Sequence, residues 1–220
     1  MQGAPCLWRG VTFEREFSMN GNDRELAQAA ATVFEACAEA FLNEPVEAVV
    51  EDVRLVASAL GPEAGASWVA CEALEQRMYD RVIVPTSPFY VPLFENCIAV
   101  HVRDGVYGPL GGVRCSEVAK CYKAAGFDYR SLAASPSIKA VVHADYIGCE
   151  CAFLAFLKRC EAESADEAGR AHINDLARQF ARSHAGLWFS PARDLMAEAG
   201  EDFYTDVATL AESAVRVYCG

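Results

Sequence analysis

Apolar residues return every three or four positions along most of this 220-residue chain, and that spacing confines it to helices. From Asn22 or Asp23, either of which can cap a helix, Leu26, Ala30, Val33, Cys37 and Phe41 keep the interval until Asn43-Glu44-Pro45 stops it. A second helix is predicted over 46–59, with Val49, Val53 and Val56 on one face and Gly61-Pro62 beyond its end. A third runs from about Ser67 to Val84, burying Val69, Leu74, Met78 and Val82, and Pro85 closes it. Further helices are expected over about 115–125, 143–162, 166–187 and 201–218, with breaks at Gly126, Ser135-Pro136, Gly169 and Pro191. In the last of these, Phe203, Val207, Leu210, Ala214 and Val217 form one face, while Tyr204, Ala208, Ala211 and Val215 form a neighbouring one. A helix apolar over so wide an arc is a buried one. The pattern is that of an all-α protein, an irregular bundle of about seven to nine helices.

The segment Pro85-Thr86-Ser87-Pro88-Phe89-Tyr90-Val91-Pro92 interrupts this regularity, because its three prolines fix the backbone and disfavour helix. Its aromatic content sets it apart from a polar linker, so Phe89, Tyr90 and Phe94 are expected either to fold back onto the body or to line a cleft. Ile98, Val100 and Val102 then alternate before Asp104-Gly105, a hairpin signal. Gly108-Pro109-Leu110-Gly111-Gly112 reads as loop and matches no phosphate-binding glycine pattern.

Two helical stretches place polar groups where apolar ones are expected. Glu150 shares a stripe with Ile147, Phe153, Leu154 and Leu157. A carboxylate there must be hydrogen-bonded, neutral, or at the edge of a cleft, since an unpaired buried charge costs several kcal/mol. His184 likewise falls in a stripe formed by Ile173, Leu176, Phe180 and Leu187. Asp145, near a helix start, either caps free N–H groups or serves a ligand.

With 53% hydrophobic and 23% charged residues the chain has the composition of a globular protein, and its length buries roughly 70% of the unfolded surface. A net charge of −12 argues against general nucleic-acid binding and favours a basic partner. The N-terminal stretch lacks a long apolar run, with Glu14 and Glu16 interrupting it, so the ten cysteines are expected to be reduced and cytoplasmic. Cys149 and Cys151, two apart on a helix, point to different faces; they read as buried thiols, and no metal site is expected. No apolar run approaches the roughly 20 residues that span a bilayer. Residues 1–20 read as an N-terminal extension in which Trp8, Phe13 and Phe17 are candidate anchors and Met19 an alternative start, followed by a single helical domain over 21–220.

The order Asp145-Tyr146-Ile147, Glu150, Phe153-Leu154, then Phe180 with His184 and Trp188, then Phe203-Tyr204, resembles the TorD/DmsD family of redox-enzyme maturation chaperones. Pro92-Leu93-Phe94-Glu95-Asn96 is similar to that family's Pro-x-Tyr-Glu-Ser segment. The resemblance covers roughly residues 24–218 and departs at Tyr146, where the family usually has His. It implies a TorD-like all-helical fold with a Pro-rich hinge near 85–96 between two helical parts, which some members exchange to form a swapped homodimer. It also implies a cytoplasmic chaperone, with no catalytic role and no cofactor of its own. Such a chaperone holds the twin-arginine leader or the apo-form of a molybdenum-cofactor oxidoreductase catalytic subunit until cofactor insertion is complete and export can proceed. A basic, apolar leader calls for carboxylates beside apolar surface. On that basis the peptide-binding residues are expected to be Asp145, Tyr146, Glu150, Glu95, Phe94, Tyr90, Pro92, His184 and Trp188. Two other readings compete: a small-ligand or guanine-nucleotide binder, and a Cys/His-based enzyme drawn around His143, Asp145, Glu150 and His184.

Overall fold

The computed structural model describes residues 23–60, 68–99 and 106–220. The expectations placed on Trp8, Phe13, Phe17, Met19, Gly61-Pro62, Ser67, Val100, Val102 and Asp104-Gly105 lie outside the described residues. The described chain is all-α: ten α-helices, eight of them of seven residues or more, and no strand. In order they are α1 (Asp23–Leu42), α2 (Glu47–Leu60), α3 (Glu72–Met78), α4 (Glu95–Ile98), α5 (Val113–Ala125), α6 (Pro136–Lys139), α7 (Ile147–Glu163), α8 (Glu167–Ser183), α9 (Ala185–Ala199) and α10 (Phe203–Cys219). Among the described residues no helix is long and apolar enough to cross a membrane.

The two helices that bury side chains all round form the centre. α1 is alanine-rich, with Ala30, Ala31, Phe34, Cys37, Ala40 and Phe41 all nearly inaccessible, and small side chains on several faces let neighbours approach closely. It packs most extensively on α7 and then on α10 and α2. α7 buries Ile147 through Cys151, Phe153, Leu154 and Leu157, the stripe in which Glu150 was read. Around this pair α8, α9 and α10 close one contiguous apolar core.

Several boundaries move from their sequence-based positions. The third helix starts at Glu72, so Val69 precedes it and is exposed, while Met78 and Val82 are buried as expected. Its last turn widens into a π-helical stretch, Tyr79–Ile83, whose closing N–H, from Val84, donates to the Tyr79 carbonyl. Ile98 belongs to α4 instead of the start of a hairpin. The helix expected over 166–187 ends at Ser183: His184 leaves helical geometry, at φ −134° and ψ −96°, and a new helix begins at Ala185. Gly186 permits this turn, since a Cβ there would stand 2.7 Å from the Ala181 carbonyl oxygen. Pro191, the expected break, lies inside α9. Its ring leaves the Leu187 carbonyl without a helical donor, and Leu187 is on the exposed side where water can replace it. Val217, in the last turn of α10, is exposed while the rest of its predicted face is buried.

Candidate peptide-binding groove

The site is organised by two short extended segments that lie antiparallel and each feed a helix. Glu95 N–H donates to the Asp145 carbonyl at 2.9 Å, Ile147 N–H to the Leu93 carbonyl at 3.0 Å, and Phe94 pairs with Tyr146. α4 and α7 therefore start side by side although about fifty residues separate them in sequence. The Asp145 carboxylate accepts the Asn96 N–H at 3.0 Å, so it caps α4 and not its own helix. Asn96 in turn donates to the Pro109 carbonyl at 2.9 Å and accepts the Arg114 N–H at 3.4 Å, which sets the start of α5. Gly112, at φ +97°, passes so close that a Cβ would meet the Asn96 amide at 2.8 Å. On the opposite side the Tyr146 hydroxyl donates to the Phe41 carbonyl at 2.7 Å, closing the carboxyl end of α1.

Behind this joint lies a cluster of buried polar groups. His184 Nδ1 lies 2.8 Å from Glu95 Oε2, and with a carboxylate as acceptor that nitrogen carries the proton. Trp188 Nε1–H donates to Glu150 Oε2 at 3.0 Å. Burial, then the nearby Glu95 charge, pushes the Glu150 carboxyl well above its ordinary range, with Asp145 adding to the rise and the Trp188 hydrogen bond opposing it. One oxygen on each acid, Glu95 Oε1, Glu150 Oε1 and Asp145 Oδ1, is buried without a hydrogen-bond partner. The turn at His184 is what aims the imidazole at Glu95.

The cluster supports a groove of about 710 Å³ between α5, α7 and α8. Phe153, Leu157, Leu176 and Phe180 give it apolar walls; His184 and Cys121 line it, with Cys121 Sγ 3.8 Å from His184 Nε2; Arg114, Glu117, Lys120 and His172 carry its charges. α5 contributes the small residues Cys121, Ala124 and Ala125 as well as the charged ones, and α7 and α8 contribute the rings of Phe153 and Phe180.

Of the nine expected peptide-contact residues, His184 lines the groove and Tyr90 is half-buried. Asp145, Tyr146, Glu150, Glu95, Phe94, Pro92 and Trp188 are buried beneath or beside it, all of them part of the joint or the polar cluster. Phe89 folds back, as one of the two readings had it: it lies under the Arg77 guanidinium, 3.5 Å from the ring centroid. The groove residues not foreseen as contacts are those of α5, together with Phe153 and Leu157 of α7 and His172, Leu176, Gln179, Phe180 and Ser183 of α8.

The nine cysteines described are all free, and burial pushes Cys97 up to about 12 and Cys115 and Cys219 up to about 11. Among the described residues no group of three or more His, Cys, Asp or Glu side chains is arranged to hold a metal ion.

A family model described as "Nitrate reductase delta subunit" matches residues 76–193, just over half of the chain. The chain belongs to that family. Its members are maturation chaperones of the NarJ/TorD kind and not catalysts, so the enzyme reading falls. The matched span contains the Pro92–Asn96 segment, the Asp145–Ile147 joint and the His184 turn; Phe203 and Tyr204 lie beyond it. No curated protein and no solved structure matches the chain.

Proposed function

We propose that this chaperone binds the leader, the apo-form, or both, of a molybdenum-cofactor oxidoreductase catalytic subunit in the cytoplasm, aiding cofactor insertion and delaying export. The family description makes a nitrate reductase the first client to try. The observation that carries the reading is the groove: an open apolar channel on a protein of net charge −12, suited to a segment with apolar residues and basic flanks. His184 lines the groove and is available for direct contact, while Tyr90, half-buried, lies outside the groove lining. The buried members of the expected set, Asp145, Tyr146, Glu150, Glu95, Phe94, Pro92 and Trp188, serve by fixing the joint on which the groove rests. Ordering a disordered leader has an entropic cost, so an affinity in the micromolar range, about −8 kcal/mol, is expected. Exchange of the parts on either side of residues 85–96 would give a swapped homodimer with the same groove.

The test is a pull-down from anaerobically grown cells followed by mass spectrometry. Recovery of one molybdopterin-type catalytic subunit, competed away by its own leader peptide, is the expected result. Recovery without competition would move the contact to the mature domain, and failure to enrich any such subunit would overturn the proposal.

A further inference from the structure

At the end of the groove nearest the α8–α9 turn, Arg114 reaches three acceptors and holds none of them closely. Its guanidinium lies 3.7 Å from Glu95 Oε1, 3.5 Å from Glu117 Oε2 and 3.4 Å from the Ser183 carbonyl oxygen. Close charge-assisted hydrogen bonds are shorter, about 2.7–2.9 Å. Each acceptor has reason to want a cation. Glu95 Oε1 is fully buried and has no hydrogen-bond partner. Glu117 is a half-exposed carboxylate on the groove wall. Ser183 is the last residue of the 17-residue α8, where closing carbonyls lack helical donors and the dipole is negative. Phe153, Leu157, Leu176 and Phe180 line the same groove as Arg114, Glu117 and Ser183. Lys120 stands on the same wall but two turns further along α5, roughly 9 Å away, so it does not fill the seat.

We propose that Glu95, Glu117 and the Ser183 carbonyl form a guanidinium seat, occupied in the free protein by Arg114 as a placeholder and taken over by an arginine of the bound segment. A planar fork can bridge two carboxylates and a carbonyl at hydrogen-bonding distance, which an ammonium cannot do as well. The occupant is thus an apolar segment with an arginine at one end, its apolar residues in the channel and its guanidinium over Glu95. This rests on the leader-binding reading above and names which part of the leader is recognised and where. Arg114 swings outward when the seat is taken, and Glu95 keeps a cationic partner in both states.

The experiment titrates fluorescein-labelled peptides into wild type, Arg114→Ala and Glu117→Gln by anisotropy. The peptides are a client's leader, the same leader with citrulline in place of arginine, and a generic pair, Leu-Leu-Leu-Ala-Leu-Arg and its citrulline form. Arg114→Ala is expected to tighten both arginine peptides by 3-fold or more and leave the citrulline peptides within 2-fold. Glu117→Gln, at a half-exposed site that tolerates the change, is expected to weaken the arginine peptides by 3-fold or more. Circular dichroism melts on each variant separate these effects from misfolding. A leader that binds equally well with citrulline, and is indifferent to Arg114→Ala, overturns the seat while leaving the leader reading intact. A generic arginine peptide that responds as expected while the client leader does not bind keeps the seat and overturns the leader reading. Absence of binding by every peptide overturns both.

Discussion

Two buried polar networks lie on opposite sides of the Pro-rich segment, and they are built on opposite principles. Around Arg81 a single buried cation is surrounded by acceptors: the Phe89, Met196 and Gly200 carbonyls at 3.1, 3.0 and 2.6 Å, and Asp202 Oδ2 at 2.5 Å. That network ties the segment to the carboxyl end of α9 and to Asp202, which also caps α10 through the Tyr204 and Thr205 N–H groups. Around Glu95 and Glu150 three acids share one imidazole, one indole N–H and one backbone N–H, with Arg114 3.7 Å from Glu95, and each keeps an oxygen without a hydrogen bond. The first network gives its one buried cation four acceptors, leaving Arg81 Nε without a bond, and fixes geometry. The second has acceptor capacity to spare and stands next to the groove between α5, α7 and α8. The difference separates a cation surrounded by acceptors from acids that outnumber their donors.

The comparison breaks most visibly at Arg81. Arg81→Met takes a buried guanidinium away from Asp202 and from the Phe89, Met196 and Gly200 carbonyls, so it is expected to cost about 3–5 kcal/mol, read as a shifted midpoint in urea unfolding. A loss under about 1 kcal/mol would show the network to be dispensable. Next comes Asp145→Ala, which removes the charged cap of α4 and with it the tie between the two extended segments. Its expected cost is about 1.5–3 kcal/mol, more than an exposed cap would contribute, because the carboxylate is fully buried. Leader affinity should fall with it, since α4 positions Glu95.

Glu150 sharpens the contrast through pH. The unfolded chain releases this proton near 4.5, whereas burial and the Glu95 charge keep the folded carboxyl protonated well above that. Between those two values the folded state binds more protons than the unfolded one, so this group's stabilisation is fully present at acid pH and is lost as pH rises. Glu150→Gln keeps an acceptor for Trp188 Nε1–H and cannot ionise. Unfolding free energies measured at about pH 5.5 and about pH 8 should therefore fall less for the variant than for wild type, the gap approaching about 1 kcal/mol per pH unit. Equal slopes would mean that Glu150 is ionised in the folded protein.

Much of the bundle was legible in the sequence because its signals are local. The spacing of Ala30, Val33, Cys37 and Phe41 declared α1, and Glu150 within an apolar stripe declared a buried carboxylate that needs a partner. What was not legible depends on distant pairings. Asp145 looked like the cap of its own helix because nothing nearby announces that residues 93–95 lie alongside it and offer the Asn96 N–H instead. The break at His184 was hidden by Pro191, a stronger local signal, while the decisive fact, the approach of Gly186 to the Ala181 carbonyl, exists only in three dimensions. The groove was invisible for a related reason: its lining comes from α5, α7 and α8, and residues such as Cys121, Leu157 and Leu176 share a channel only once those helices are packed together.

The smallest effect on stability should accompany the largest on binding. Leu176 lies on the groove wall with 37% of its surface exposed, so Leu176→Glu should change stability by about 0.5 kcal/mol or less. The most direct test of the account is titration of a client's leader peptide into wild type and into Leu176→Glu, with thermal melts of both. A groove that receives the leader predicts at least 10-fold weaker binding by the variant at an unchanged melting temperature. Equal affinity in the two proteins would contradict it and place the leader elsewhere on the surface.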